Sequence, residues 1–278
     1  MARPPADPGL VLLPRAIDAA GVAAVAAELA ALRPLWELRY SEHRPLPEGQ
    51  HQRPLLRPVY WLGNWQFACL GYYEPPKKLH DKAVQAEPFP PAIARVARAA
   101  EALARQRLPP PWIPRGWCLN TCLINLYGSK DDGGAEVDAA RVGAHQDREP
   151  GPVASFSLGE RALFQFLPRG EGAPVRTMWL EEGALQVFAG PVWKDSLLHR
   201  VGRVEDKRRL DLEPRVPGFR TRRINLTFRF VPPEHIVPYA RLGEGARRDV
   251  RGYVATLAGS SPFWAAARAA AGEPASPG

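Results

Sequence analysis

The stretch from residue 119 to residue 231 consists of short apolar segments separated by turn residues, and this texture limits the fold more than any other feature. Segments of this length at regular spacing are typical of β-sandwiches, barrels and jelly rolls. No helical periodicity interrupts them, which excludes alternating β-α-β units. We predict strands at residues 119–127, 142–147, 153–158, 163–167, 175–180, 184–189, 197–201 and 223–231.

The last of these segments, 223–231, alternates strictly between polar and apolar side chains. Because successive side chains of a strand point to opposite faces of a sheet, its apolar residues form a core face. The polar residues on the other face are Arg223, Asn225, Thr227 and Arg229. This polar face either meets water, with its two arginines solvated, or lines a cavity in which the guanidiniums bind carboxylates. Asn125 and Tyr127 share a face of segment 119–127 in the same way, which indicates one polar cavity inside a barrel.

His145 and Asp147 lie two positions apart in a predicted strand, so both side chains project from the same face. A metal held there needs a third ligand, which His199 can supply from a later strand. Two histidines and one carboxylate on one side leave the opposite coordination positions open, as in non-haem Fe(II) oxygenases. A His-x-acid tripeptide also arises by chance in a chain with 6 His and 29 acidic residues, so the prediction depends on the other motifs.

Two helices are predicted in the N-terminal part. Asp18 can cap a helix that ends near Leu32. In residues 91–106 apolar side chains recur at helical spacing, which indicates one buried face. That face comprises Ile93, Val96, Ala100 and Leu103. Residues 41–58 and 128–141 are predicted to be irregular, the second as a mobile loop rich in glycine and acidic residues.

Aromatic residues concentrate between residues 60 and 73. They are Tyr60, Trp61, Trp65, Phe67, Tyr72 and Tyr73. Each of them can be a core residue of a small sheet or hairpin. As a group, among glycines in a polar region, they indicate a surface on which a flat ligand stacks. Both interpretations are open at this point.

Basic residues exceed acidic ones, with a net charge of +8 and a pI of about 9.7. This excess is consistent with a polyanionic partner or an acidic small substrate. A general compositional bias toward arginine would give the same net charge. Residues 200–223 carry nine of the basic residues. They can form a rim that contacts phosphates or a solvated connecting loop.

Cysteine usage and the N-terminus indicate a cytoplasmic chain. The three cysteines do not form an even disulfide framework, which fits a reducing compartment. The N-terminus lacks the apolar core of a signal peptide. The Ala-rich run Gly21–Leu32 is too short to span a bilayer and carries Glu28. We therefore expect no membrane association and no obligate protein partner.

In chain order, these motifs resemble those of the AlkB family of Fe(II)/2-oxoglutarate-dependent dioxygenases. The resemblance covers about residues 60–231 and follows the family's order. The matching stretches are Cys122-Leu-Ile-Asn-Leu-Tyr127, His145-Gln-Asp147, Phe156-Ser-Leu-Gly159 with Phe164-Gln-Phe166, His199, and Arg223-Ile-Asn-Leu-Thr-Phe-Arg229. The resemblance implies Fe(II) as the metal, with 2-oxoglutarate (2OG) and O2 as co-substrates.

The resemblance also implies the roles of individual residues at the metal and at 2OG. The iron ligands would be His145, Asp147 and His199. The residues that bind or orient 2OG would be Asn125, Tyr127, Arg223, Asn225 and Arg229. Arg223 and Tyr127 would hold the carboxylate far from the iron. Arg229, with both asparagines, would hold or orient the iron-proximal end.

Three further residues would contact the substrate. Trp65 and Tyr72 lie in a stretch that resembles the family's nucleotide-recognition lid, and they would stack on a flipped base. Glu149 sits where the family places an acidic residue that reads the base edge. The run from Phe67 to Leu70 is more apolar than the lid of the family, which keeps other substrate classes open.

We predict a mainly β (α+β) fold, with a double-stranded β-helix (jelly-roll) core and N-terminal helices packed on the sheet. Four regions follow along the chain. They are an N-terminal helix and irregular segment (1–58), a lid-like region with a support helix (59–118), the dioxygenase core (119–232) and a C-terminal extension (233–278).

The predicted function is oxidative demethylation of N-alkylated nucleobases in DNA or RNA with release of formaldehyde, as in the repair of DNA alkylation. The alternative is a 2OG-dependent hydroxylase or demethylase of a protein or a small molecule. A third hypothesis is a catalytically silent binding module that retains the fold.

Overall fold

A computed structural model describes residues 8–42, 45–71, 83–202 and 210–274 of the chain. Antiparallel sheets dominate these residues, accompanied by a few helices. The strands are β1 (Leu10–Leu13), β2 (Val59–Leu62), β3 (Asn64–Trp65), β4 (Ala83–Gln85), β5 (Thr121–Asp132), β6 (Ala135–Asp138), β7 (Val142–His145), β8 (Val153–Gly159), β9 (Ala162–Leu167), β10 (Arg176–Leu180), β11 (Leu185–Phe188), β12 (Leu198–Gly202), β13 (Phe219–Arg229) and β14 (Ile236–Val237). The α-helices are α1 (Ala19–Ala30), α2 (Pro91–Arg107), α3 (Glu244–Ala258) and α4 (Pro262–Ala270).

The large sheet has the strand order β1-β11-β8-β13-β5-β2, with β6 joined to β5. Each of its pairings is antiparallel. β13 lies between β5 and β8, so that Asn225 is paired with Asn125 on one side and with Ser157 on the other. Polar residues of three neighbouring strands thus lie side by side on one face of the sheet.

The alternation of β13 gives this sheet one apolar face and one polar face. Ile224, Leu226 and Phe228 are buried in the main apolar core, which also contains the inner faces of α1 and α2. The opposite face carries Arg223 and Arg229, which line a cavity together with residues of a second, smaller sheet. The N-terminal helices and the small sheet therefore lie on opposite faces of the large sheet.

The small sheet has the strand order β10-β9-β12-β7, again antiparallel. Phe164, Phe166 and Met178 of this sheet pack against Val153 and Phe188 of the large sheet. Burying a side chain of this size contributes about 1.5–3 kcal/mol. This apolar layer holds the two sheets face to face and leaves the polar cavity beside it.

Each predicted strand overlaps an observed one, but the predicted mobile loop at 128–141 is wrong. β5 continues to Asp132 and forms a hairpin with β6. The turn is made by Gly133 (φ 65°) and Gly134 (φ 88°), and two consecutive residues with positive φ make the tight turn that suits a hairpin. Oδ1 of Asp131 accepts a hydrogen bond of 2.9 Å from the Gly134 N–H, so the acidic residue supports the turn.

Both predicted N-terminal helices are present. Oδ1 of Asp18 caps α1 by accepting a 2.8 Å hydrogen bond from the N–H of Gly21, and the predicted apolar face of α2 is buried. The sequence reasoning missed β2, because all four of its residues are buried and it shows no alternation. No helix in the described ranges is long and apolar enough to cross a membrane.

The described part of the aromatic cluster belongs to the core, so the first interpretation is correct for it. Trp61, Trp65 and Phe67 are each at most 1% exposed. The Trp65 ring lies 4.8 Å from the ring of Phe67 and 5.8 Å from that of Trp264 in α4. The C-terminal helices therefore cover these aromatic rings and complete the main core.

Glu37 is buried beneath this cluster. Its Oε1 accepts a 2.9 Å hydrogen bond from Nε1 of Trp65, and its Oε2 accepts a 2.7 Å bond from the Ala68 N–H. Burial raises the pKa of Glu37 to about 7, although these hydrogen bonds oppose the shift. The folded chain therefore holds a proton on Glu37 more tightly than the unfolded chain does.

We predict that this proton makes the free energy of unfolding fall as the pH rises between the ordinary pKa of 4.5 and about 7. The contribution across this window is on the order of 3 kcal/mol, present at the acidic end and lost at the neutral end. Glu37→Gln should flatten this part of the pH dependence, measured by urea unfolding across the window. The exposed Glu48→Gln is the control and should leave the dependence unchanged; an unaltered slope in the Glu37 variant would contradict the prediction.

Candidate metal and co-substrate site

Two histidines and one aspartate meet where β7 ends beside β12. His145 is the last residue of β7 and pairs directly with His199 of β12. Their ring centroids are 4.3 Å apart. Asp147 follows His145 by two residues, and one ligand atom from each of the three side chains lies within 4.8 Å of the other two. The convergence predicted from the sequence is present.

Hydrogen bonding leaves ligand atoms of this cluster available. Nδ1 of His145 lies 2.8 Å from the carbonyl oxygen of Gly143. Because a carbonyl only accepts, Nδ1 carries the proton and Nε2 keeps a lone pair. Oδ2 of Asp147 is buried, accepts no hydrogen bond from the described residues and lies 3.3 Å from Nε2 of His199. A buried carboxylate oxygen without a donor is unfavourable, and the set of two imidazoles and one carboxylate fits Fe(II).

Arg229, at the end of β13, holds the other oxygen of Asp147. Its Nε and Nη2 lie 2.7 Å and 2.6 Å from Oδ1. Burial by itself would raise the pKa of Asp147, but the Arg229 guanidinium and both imidazoles outweigh it and hold that pKa well below its ordinary value. Burial, together with His199, lowers the pKa of His145 to about 4. Asp147 is therefore ionised and His145 neutral near pH 7, as metal ligands must be.

An inner cavity of about 60 Å³ lies between the polar face of the large sheet and the small sheet. It extends from Arg223 to the metal cluster. The five residues predicted to bind or orient 2OG line it, and so do the three predicted iron ligands. The structure thus brings together Asn125, Tyr127, Arg223, Asn225, Arg229, His145, Asp147 and His199.

Arg223 is the buried cation at the far end of the inner cavity. Its Nη2 donates hydrogen bonds of 3.0 Å to Ser157 Oγ and 2.7 Å to Asn225 Oδ1. Its Nε and Nη1 are buried and have no hydrogen-bond partner among the described residues. Leaving such donors unsatisfied is unfavourable, and a carboxylate is the group that a guanidinium holds in two parallel bonds. The Tyr127 ring lies beside it, with its centroid 4.7 Å from Cζ.

Asn225 orients Arg223 and is held by protein groups at both the oxygen and the nitrogen of its amide. Its Oδ1 accepts from Ser155 Oγ (2.8 Å) and Ser157 Oγ (3.3 Å) as well as from Arg223. Its Nδ2 donates to Thr227 Oγ1 at 2.8 Å. Of the two roles that the resemblance implies for Asn225, holding and orienting, these contacts favour orienting.

An outer cavity of about 530 Å³ adjoins the metal cluster. It shares His145, Asp147 and Arg229 with the inner cavity. Among the described residues of its lining, arginines outnumber carboxylates. The arginines are Arg39, Arg57, Arg141, Arg148 and Arg229, and the carboxylates are Asp147 and Glu149. Arg39, Arg141 and Arg148 are exposed at its mouth.

Glu149 forms part of the wall of the outer cavity, close to the metal cluster. Its Oε2 lies 3.6 Å from Nε of Arg229, and Lys194 Nζ donates a 2.5 Å hydrogen bond to its backbone carbonyl. Burial raises the pKa of Glu149, and Asp147 adds to the shift although Arg229 opposes it. Glu149 therefore lies where an acidic residue could meet a substrate.

Trp65 does not lie at either cavity, and its prediction as a stacking residue is wrong. The side chain is 0% exposed and donates its indole N–H to Glu37. A ring that Phe67 and Trp264 enclose has no face left for a base. Tyr72, the second predicted stacking residue, lies outside the described residues. Its neighbour Gly71 lines the outer cavity.

The sequence reasoning missed the arginines of the outer cavity. Arg39 and Arg57 come from segments without any periodicity, so no local pattern pointed to them. Arg141 and Arg148 lie within four residues of His145, and this proximity was the one available signal. In the basic segment 200–223, residues 203–209 are outside the described ranges. Arg222 of that segment is buried and paired with Asp138 and Glu160, so it does not belong to a phosphate-contacting rim.

We predict that Asp147→Asn weakens the binding of Mn(II), a stand-in for Fe(II), by more than about 100-fold. The variant replaces a charged ligand with a weak one while keeping its shape. Isothermal titration calorimetry measures the effect, and circular dichroism checks the fold. Asp211→Asn, at an exposed carboxylate, should bind Mn(II) as the wild type does. Equal affinity in the Asp147 variant would exclude this metal site.

Comparison with known proteins shows which family this chain resembles. A family model described as the 2OG-Fe(II) oxygenase superfamily matches residues 9–229. An alpha-ketoglutarate-dependent dioxygenase AlkB homolog of Caulobacter vibrioides is 36% identical over 76 residues, which are 26% of this chain and 30% of that protein. The DNA N(6)-methyladenine demethylase ALKBH1C of Arabidopsis thaliana is 30% identical over 120 residues, which are 39% of this chain and 23% of that protein. The aligned parts thus span less than a third of either relative.

A solved structure of OsALKBH1 is similar with a TM-score of 0.50 at 22% identity, covering 80% of this chain and 98% of that chain. At this identity the likeness concerns the fold, which is mainly antiparallel sheet with a few helices. The relatives confirm the resemblance to AlkB proteins that the motifs indicate, and the superfamily implies Fe(II), 2OG and O2 as predicted. On the matched range, which includes the whole His-Asp-His cluster together with Arg223 and Arg229 of β13, the chain belongs to the 2OG-Fe(II) oxygenase superfamily.

Proposed function

We propose that this chain is a 2OG-dependent dioxygenase that removes N-alkyl groups from nucleobases of DNA or RNA and releases formaldehyde. The observation that carries the nucleic-acid part is the charge of the outer cavity. Among the described residues, its lining contains five arginines and two carboxylates, and one of the carboxylates belongs to the metal cluster. Such a cavity attracts phosphate groups. The names of the relatives, an AlkB homolog and a DNA N(6)-methyladenine demethylase, support the same substrate class.

In this proposal His145, Asp147 and His199 hold Fe(II). When bound, the iron supplies, with 2OG and O2, the oxidation of a C–H bond in the N-alkyl group. Arg223, beside Tyr127, holds the far carboxylate of 2OG with Nε and Nη1, the two donors that have no partner among the described residues. An N-methyl group that has been hydroxylated leaves as formaldehyde and restores the base.

The two cavities divide the reactants by size. The outer cavity, of about 530 Å³, is much larger than the inner one, of about 60 Å³, so the base occupies the outer cavity and 2OG the inner one. A base in a duplex has to leave its stack to reach the outer cavity, which costs about a few kcal/mol. Contacts of the exposed arginines with phosphates would offset that cost. Glu149 would read the edge of the extruded base.

For the core we propose a double-stranded β-helix, the finer assignment within the observed mainly antiparallel fold. The large and small sheets face each other over one apolar layer. The metal cluster and the inner cavity lie between them, beside that layer. Small cavities between facing sheets are where such folds bind their ligands.

A protein side chain or a small metabolite is the second candidate substrate class. One observation favours it: no Trp, Tyr or Phe of the described ranges lines the outer cavity. An extruded base would lack an aromatic stacking partner among those residues. The third hypothesis, a silent binding module, is disfavoured by the intact His-Asp-His cluster.

We predict that the wild-type chain, given Fe(II), 2OG and O2, releases formaldehyde and succinate in equal amounts from oligonucleotides that contain 1-methyladenine or 3-methylcytosine. Asp147→Asn should release neither product. An unmodified oligonucleotide of the same sequence should give succinate only at the background rate. Succinate formed with a protein or metabolite substrate, with no formaldehyde from either oligonucleotide, would overturn the nucleobase assignment in favour of the alternative.

The outer arginines give a second prediction. Replacing both Arg141 and Arg148 by Gln should weaken oligonucleotide binding and lower the slope of log affinity against log salt by about 0.7–0.9 per lost phosphate contact. Arg95 and Arg98, exposed on α2, are the matched control pair. Fluorescence anisotropy over a salt series measures both slopes. Identical slopes for the two double variants would remove the outer cavity from nucleic-acid binding.

A further inference from the structure

We propose that Arg57 is a positioning residue for 2OG, which fixes the amide of Asn125 and separates the inner cavity from the outer one. The inference rests on the 2OG chemistry of the proposed function and holds whether or not the substrate is a nucleobase. Arg57 precedes β2 and lies outside every motif of the barrel strands. Its role therefore depends on its position in the folded chain and not on a sequence motif.

Arg57 lines both cavities, so it stands on the boundary between co-substrate and substrate. Its neighbours in sequence are anchored by backbone hydrogen bonds. The N–H of Leu55 donates to the Glu37 carbonyl at 2.7 Å, and the Pro58 carbonyl accepts from the N–H of Leu126 at 3.2 Å. The guanidinium of Arg57 therefore extends from a backbone segment that hydrogen bonds fix in position.

The contact with Asn125 decides which way that amide faces. Nε of Arg57 lies 2.9 Å from the atom assigned as Oδ1 of Asn125. Since a guanidinium only donates, the amide oxygen must face Arg57 and the amide nitrogen must face away. No described residue accepts a hydrogen bond from that nitrogen. Asn125 therefore keeps an N–H group for an oxygen atom in the inner cavity, which is the group that a carboxylate or keto oxygen of 2OG needs.

Charge gives an independent argument. The guanidiniums of Arg57 and Arg223 both lie near the ring of Tyr127, at 5.0 Å and 4.7 Å from its centroid to Cζ. Neither forms a salt bridge with a described residue, whereas Arg229 is paired with Asp147. After burial itself, Arg57 is among the charges that lower the pKa of Arg223. Two neighbouring cations that form no salt bridge with a described residue suit a dianion, and 2OG carries two carboxylates.

The experiment compares Arg57→Met and Arg57→Lys with the wild type. Titration calorimetry measures 2OG binding to the Mn(II)-loaded proteins. Arg57→Met should raise the Kd for 2OG about tenfold, because the charge and the fixed amide are both lost. Arg57→Lys should raise it less, because it keeps the charge but cannot reproduce the directed bond from Nε. The affinity for Mn(II) without 2OG should stay at the wild-type value in both variants.

Turnover measurements distinguish a positioning role of Arg57 from a merely structural one. The KM for 2OG should rise more than kcat falls in Arg57→Met, and more succinate should form per substrate oxidised, because the boundary between the cavities is weakened. Arg53→Met, at an exposed arginine of the same segment, is the matched control and should behave as the wild type.

The outcomes distinguish this inference from the function on which it rests. A wild-type protein that binds Mn(II) but not 2OG would overturn the proposed function. A wild type that binds 2OG, together with Arg57 variants that bind it equally well and keep the ratio of succinate to product, would overturn the positioning role alone. If Arg57→Met does not fold, the smaller effect expected of Arg57→Lys decides the question by the same two measurements.

Discussion

The buried ion pair between Arg229 and Asp147 is the interaction on which the rest of the site depends. It joins the central strand of the large sheet to the segment after β7, and so fixes the metal cluster relative to the inner cavity. The guanidinium occupies one carboxylate oxygen and leaves the other without a donor. Breaking a buried pair by removing one partner costs about 3–5 kcal/mol, while an apolar replacement of both partners is often neutral. We infer that the pair serves the geometry of the metal site more than the stability of the fold.

On the polar face of β13, as in the Arg229–Asp147 pair, an arrangement that suits ligand binding does not maximise the stability of the fold. Its apolar face is part of the main core, so the strand cannot move away from the sheet. Asn225 satisfies its own amide and orients Arg223, yet two donors of that arginine remain buried without a partner. Unsatisfied buried donors lower the stability of the free protein. In the proposed function, the carboxylate of 2OG would remove this penalty by accepting hydrogen bonds from these donors.

How far the sequence predicted this structure depended on whether the signal was local. The alternation around Arg223 is local, so strand geometry sufficed to place that side chain on the polar face of the sheet. His145 and Asp147 converge as their spacing predicts, but β7 ends at His145 and Asp147 lies just beyond the strand. His199 needed the motif order of a known family. The sequence does not reveal that Trp65 is enclosed, because one side of its ring is covered by Trp264 of α4, about two hundred residues later, in addition to nearby Phe67. Arg57 could not be found at all, since a lone cation in an aperiodic segment acquires a role only through tertiary contacts.

The direct pairing of His199 with His145 makes the spacing of these two residues independent of the loop residues that form the outer cavity. Backbone hydrogen bonds between β7 and β12 set the spacing of these two ligands, so it is insensitive to the length of surface loops. The wall of the outer cavity, in contrast, is built partly from loop residues such as Arg39 and Leu56. Insertions or exchanges in those loops can alter the outer cavity while the His-Asp-His cluster stays intact. Under the proposed function, the choice of substrate and the oxidation chemistry are therefore modular, and descendants of one ancestral chain could diversify in the first without losing the second.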